Sequence, residues 1–126
     1  MGLLRWFTTN WANTREPTHA DLAPLDLPIP PTNAVARLQA IIATLPRWQV
    51  VTADPIAGRL HLTRTTRLWR FTDDIHLECT PLGTGTRVHA ESRSRVGVGD
   101  LGQNRRTILE LWKAVSGQLR AVCKTN

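Results

Sequence analysis

The strictest constraint in this sequence is the alternation on either side of Pro81-Leu82-Gly83-Thr84-Gly85. Residues 73–80 and 86–96 read as two strands, closed into a hairpin by that glycine-containing turn. One register puts Ile75 opposite Ser92, Leu77 opposite Ala90 and Cys79 opposite Val88 on a single face. The other face then pairs Asp74 with Arg93, His76 with Glu91 and Glu78 with His89. Unlike charges meet in the first pair, and each histidine meets a carboxylate. Such cross-strand pairs contribute roughly 0.2–1 kcal/mol each. A slip of one residue would turn every side chain to the wrong face. The hairpin therefore predicts a sheet with one dry face and one polar face.

The remaining elements must cover the dry face. Strand-like segments at 47–53 and 59–66 precede the hairpin. Asp54-Pro55-Ile56-Ala57-Gly58 supplies turn chemistry between them, and a wider connection over 67–72 carries Leu68, Trp69 and Phe71. Residues 14–31 form a proline-rich lead-in in which Leu25, Leu27 and Ile29 alternate with Asp26 and Pro28, the pattern of an edge strand. Thr32 is placed to cap a helix running to about Leu45, with Val35, Leu38, Ile42 and Leu45 on one stripe and Pro46 at its end. A final helix begins near Leu101, with Asp100 as cap and Gln103 three residues on. Its stripe is Ile108, Leu111, Trp112, Val115, Leu119 and Val122. The expected fold is α+β: an antiparallel sheet of four to five strands with two helices packed on one face, in the order β-α-β-β-β-β-α. A chain of 126 residues has room for one such domain, expected over 14–126, after an N-terminal apolar segment at 1–13.

Sixteen Lys+Arg against ten Asp+Glu give a net charge of +6. That balance favours an anionic partner, either a protein or an anionic membrane surface. The cations are dispersed, without the basic run of a nucleic-acid arm, so nucleic acid is disfavoured. Two cysteines fit a reducing compartment. No apolar run is long enough for a membrane-spanning helix. Arg5 interrupts the apolar start Leu3-Leu4-Arg5-Trp6-Phe7, which is not a signal peptide. The cytoplasm is the expected location; the segment with Leu3, Leu4, Trp6, Phe7 and Trp11 is expected to pack on the domain, with a peripheral foot on a membrane as the alternative.

Two stretches carry a family likeness. They are Thr66-Arg67-Leu68-Trp69-Arg70-Phe71-Thr72-Asp73-Asp74, and the run from Ser92-Arg93-Ser94-Arg95 through Gly97-Val98-Gly99-Asp100-Leu101-Gly102 to Gln103-Asn104-Arg105. With His19-Ala20-Asp21-Leu22 and Leu45-Pro46-Arg47-Trp48, the chain resembles the bacterial domain-of-unknown-function family 1499 over about 14–122. The resemblance implies no activity. Many members of that family carry transmembrane helices or a cysteine-containing N-terminal motif, which this sequence does not show. The element order is also similar, more loosely, to helix-grip (START-like) domains, which implies an apolar ligand between the sheet and the last helix.

Several residues are candidates for function. Trp48, Leu62, Trp69, Leu77, Trp112 and Val115 would line a site for a small apolar or amphipathic ligand. Arg93, Arg95, Asp100, Asn104 and Arg105 lie near the last helix's start in sequence and, with Arg67 from the earlier stretch, are candidate contacts for an anion or a partner. Gly97-Val98-Gly99-Asp100-Leu101-Gly102 matches a dinucleotide fingerprint but lacks the second parallel strand and the later acidic residue, so no nucleotide cofactor is implied. His61, His76 and His89 share the polar face with Glu78 and Glu91, without metal-ligand spacing. Asp73 and Asp74 point to opposite faces and make a poor catalytic pair. No nucleophile elbow occurs, and Cys79 and Cys123 read as packed thiols. The leading expectation is a non-catalytic binding module. A basic adaptor docking a protein or anionic membrane comes second, and an enzyme third. Oligomeric state is open.

Overall fold

In the computed structural model the described residues are 11–15, 22–65, 72–95 and 103–125. The hairpin is its centre. Strand β5 (Thr72–Leu82) pairs with β6 (Gly85–Ser94) in the register read from the sequence, from Asp74 opposite Arg93 to Cys79 opposite Val88. Strands β3 (Trp48–Asp54) and β4 (Arg59–Thr65) extend the sheet from β5. The short strands β1 (Trp11–Asn13) and β2 (Leu25–Leu27) both lie antiparallel along the other edge of β6. The sheet thus has six strands. The sixth is β1, whose residues the sequence grouped with the N-terminal segment.

The edge of β6 shows why two three-residue strands are stable there. Strand β2 serves residues 86–88 and β1 serves residues 91–93. Between them, Thr14 donates its backbone N–H to the Ala90 carbonyl, and its hydroxyl accepts the Ala90 N–H, both at 3.0 Å. The side chain takes the place of the strand's own carbonyl, so the chain leaves the sheet without stranding a buried donor. Beyond β2, the Thr86 hydroxyl donates to the Ile29 carbonyl at 2.7 Å.

Both helices cover the face that carries Leu60, Leu62, Ile75, Leu77, Val88 and Ala90, all nearly or fully buried. Helix α1 (Pro31–Ile42) contributes Ala34, Val35, Leu38, Ile41 and Ile42. Its cap is Pro30, with Pro31 as the first helical residue, and not Thr32. Proline's fixed φ starts a helix without needing a side-chain cap. The helix also stops at Ile42, before Leu45, whose N–H bonds the Ile42 carbonyl in a tighter turn. Helix α2 (Gln103–Thr125) contributes Ile108, Leu111, Trp112 and Val115 to the same cluster. Asp100 and Leu101, the expected start of α2, lie outside the described residues.

The turn after β3 needs its glycine. Asp54 accepts the N–H groups of Ile56 and Ala57, and Gly58 sits at φ +72°. The Cys79 N–H reaches the Gly58 carbonyl at 2.7 Å, and a Cβ on Gly58 would stand 2.6 Å from the Cys79 carbonyl oxygen. Strand β3 carries a bulge at Val51, where the register with β4 shifts between Val50 and Thr52.

One end of the covered face is polar. Arg64 lies on it, opposite Trp48 on β3 and Asp73 on β5, and Asp73 lies opposite Ser94. Asn104, Thr107 and Glu110, three residues apart on α2, meet this row. The Ser92 hydroxyl donates to Asn104 Oδ1 at 2.6 Å, and Asn104 Nδ2 donates to Ser94 Oγ at 3.0 Å. Thr107 Oγ1 approaches Asp73 Oδ2 at 3.5 Å. Arg64 Nε lies 2.7 Å from Glu110 Oε2, yet neither Nε nor Nη1 of this buried guanidinium makes a directed hydrogen bond. Its Cζ stands 6.0 Å from the Trp48 ring. The contact has the distance of an ion pair without its angles.

Two stability outcomes follow. Gly58→Ala is expected to lower stability by more than about 1 kcal/mol in urea unfolding, because both its φ and its contact with Cys79 exclude a Cβ. Glu110→Ala is expected to cost no more than about 1 kcal/mol, because its carboxylate is half exposed and meets Arg64 without hydrogen-bond angles. Arg64→Met is expected to be neutral or stabilising in the same assay.

Candidate functional site

The helix-free face of the sheet carries a groove of about 420 Å³. Strand alternation builds it. His61 from β4, His76 and Glu78 from β5, and His89 and Glu91 from β6 all project to the face opposite the core. Asn13, Arg15, Thr52 and Arg59 complete its walls. His61 lies directly opposite His76, and their rings stack at 4.4 Å between centroids and 14° between planes.

Electrostatics organise the rest. Arg95 grips Asp74 with two hydrogen bonds, Nε to Oδ2 at 2.8 Å and Nη2 to Oδ1 at 3.0 Å. His61 Nε2 lies 2.8 Å from Asp74 Oδ1. The Arg95 bonds, with help from His61, hold the Asp74 carboxyl down at about 2. Arg93 stands opposite Asp74 in the ladder, but its guanidinium donates to Glu91 instead. The expected Asp74–Arg93 pair is therefore replaced by Asp74–Arg95, because Arg95 reaches both carboxylate oxygens diagonally. Arg15 donates to Glu78 at 2.8 Å, and Arg59 approaches it at 3.9 Å. His89 Nδ1 lies 3.2 Å from the Thr14 hydroxyl. Burial first, and then the charges of Arg15 and Arg87, push the His89 pKa below its ordinary value.

The residues singled out by sequence divide between the two faces. Trp48, Leu62, Leu77, Trp112 and Val115 are brought together between sheet and helices, where they pack as core at 0–8% exposure. The Trp112 indole N–H is tied to the Ala23 carbonyl at 2.8 Å. Arg93 and Arg95 lie on the helix-free face, and Asn104 lies buried beneath α2 on the other. The sheet separates them, so they do not form one anion cradle. Arg105 is half-buried on α2. Arg67, Trp69, Asp100 and the glycines of 97–102 lie outside the described residues.

Two features escaped the sequence reading. Arg64 continues the inward parity of Leu60 and Leu62, a visible signal of a buried guanidinium. Arg15 gave no signal, because its place depends on β1 joining β6. Cys79 is a buried thiol whose pKa burial and Glu78 raise to about 11, far from a reactive thiolate. Among the described residues no group of three or more His, Cys, Asp or Glu is placed to hold a metal ion. Among them, too, no helix is long and apolar enough to cross a membrane.

A search of curated proteins gave no match. The solved structure of TTHA0849 from Thermus thermophilus is similar at 14% identity, covering 89% of this chain and 98% of that one, with a TM-score of 0.49. The family described as "Protein of unknown function (DUF1499)" matches residues 7–115. Both stretches that carry the resemblance border the polar end of the sheet, through Asp73 and Asp74 on one side and Ser92, Ser94 and Asn104 on the other. With most of its length matched, the chain belongs to the DUF1499 family.

Proposed function

We propose that this protein is a non-catalytic binding module whose ligand sits in the groove on the helix-free face of the sheet. The observation that carries the reading is the contrast between the faces. The described helix-covered side chains expected to line an apolar site are buried in the core cluster. The groove offers about 420 Å³ and convergent donors and acceptors from several strands. Its chemistry favours a small polar ligand over an apolar one. The non-catalytic part rests on the state of the nucleophiles. The Cys79 thiol faces away from the groove with a pKa near 11, and the Thr14 hydroxyl is already engaged by the Ala90 N–H and His89.

Native mass spectrometry of untagged protein from its own cells tests this. The expected result is a discrete added mass that is released on denaturation and is missing from Thr52→Trp, which fills the groove from an exposed position on β3. An added mass that survives Thr52→Trp would put the ligand between sheet and α2 and overturn the groove reading. Bare protein in both, together with flotation on anionic vesicles, would overturn it in favour of a docking surface.

A further inference from the structure

The groove's charge accounting, which rests on the binding reading above, points to a ligand class. The carboxylates of β2, β5 and β6 on this face are each held by arginine. Arg87 grips Asp26 at 2.9 and 3.1 Å, Arg95 grips Asp74, Arg15 and Arg59 attend Glu78, and Arg93 holds Glu91. Asp54, opposite Arg59 in the ladder, spends its carboxylate on the turn's N–H groups. In the groove wall Arg15 and Arg59 both attend Glu78, while Glu91 is held by Arg93.

Three histidines sit inside this frame. His61 faces His76 across a 4.4 Å stack and shares the Asp74 carboxylate with Arg95. His76 lies between His61 and Glu91, and Glu91 belongs to Arg93. His89 lies opposite Glu78, with Arg15 and Arg87 nearby. Among the described residues, each carboxylate beside these rings is also bonded by an arginine. Two protonated rings in the stack would also repel each other. With these rings protonated the described groove carries an excess of positive charge, which a bound anion would offset.

We propose that the groove binds a small oxyanion together with protons on His61, His76 and His89, so that its affinity for the anion rises as pH falls. Linkage requires the converse as well: the bound anion must raise the pH at which these histidines titrate. The oxyanion is supplied either free in solution or as the headgroup of an acidic lipid.

Sulfate is the probe, because its charge is constant across the histidine range. Calorimetric titration at matched ionic strength is expected to show at least about tenfold tighter binding near pH 5.5 than near pH 8. Imidazole NMR signals should titrate at higher pH in sulfate. The triple variant His61→Gln/His76→Gln/His89→Gln, with a native circular dichroism spectrum, should lose that pH dependence. Flotation on phosphatidic-acid vesicles that free sulfate does not compete away would assign the headgroup source, and flotation abolished by sulfate, or none, the free one. Equal affinity at both pH values, or acid-strengthened binding that survives in the triple variant, would overturn the proposal. No sulfate binding at either pH would overturn the anion class. The groove reading would then stand if the retained mass still depends on Thr52, and fall if it does not.

Discussion

Strand β6 is the member on which the others depend. A central strand must satisfy backbone donors and acceptors along both edges, and burial makes each unmet group costly. One edge of β6 is satisfied by β5 in a continuous ladder. The other is met in pieces, by β2, by Thr14 and by β1. Helix α2 packs on β6 and β1, so its position depends on the same edge. The lead-in is held because β6 needs a second neighbour.

The alternation of β6 also divides the molecule chemically. Thr86, Val88, Ala90 and Ser92 point into the interior, and Arg87, His89, Glu91 and Arg93 point out. The inward set changes character along the strand, from apolar at Val88 to hydroxyl at Ser92, and α2 matches it. Ile108 and Leu111 meet the apolar stretch, and Asn104 answers Ser92 and Ser94. This hydrogen-bonded end gives the helix a register along the sheet that hydrophobic contact alone does not supply. The stretches that carry the family resemblance border this end.

Local alternation made the hairpin legible from sequence, because parity and charge agreed on one pairing from Asp74 to Cys79. The same reasoning misassigned the partner of Asp74. Ladder position determines which backbones are opposite, and arginine side chains are long enough to choose a diagonal neighbour. The first helix was legible from its apolar spacing, but its cap was not, since Pro30-Pro31 starts a helix by backbone geometry. Strand β1 left no trace in the sequence: three residues have no period, and only the partner defines them. The histidines' common face was visible from parity. The groove was not, because Arg15 and Asn13 enter it through that untraceable strand.

The bulge at Val51 has a consequence for how copies of this chain behave in concentrated solution. Among the described residues β3 pairs only with β4, so its far side is an open template for another strand. An added strand would need an unbroken run of evenly spaced donors and acceptors. The extra residue interrupts that run midway and increases the local twist. Val51, half exposed, is the residue at which the spacing fails. The irregularity therefore breaks the regular spacing that an added strand would have to match, at the cost of one unpaired residue in the β3–β4 ladder.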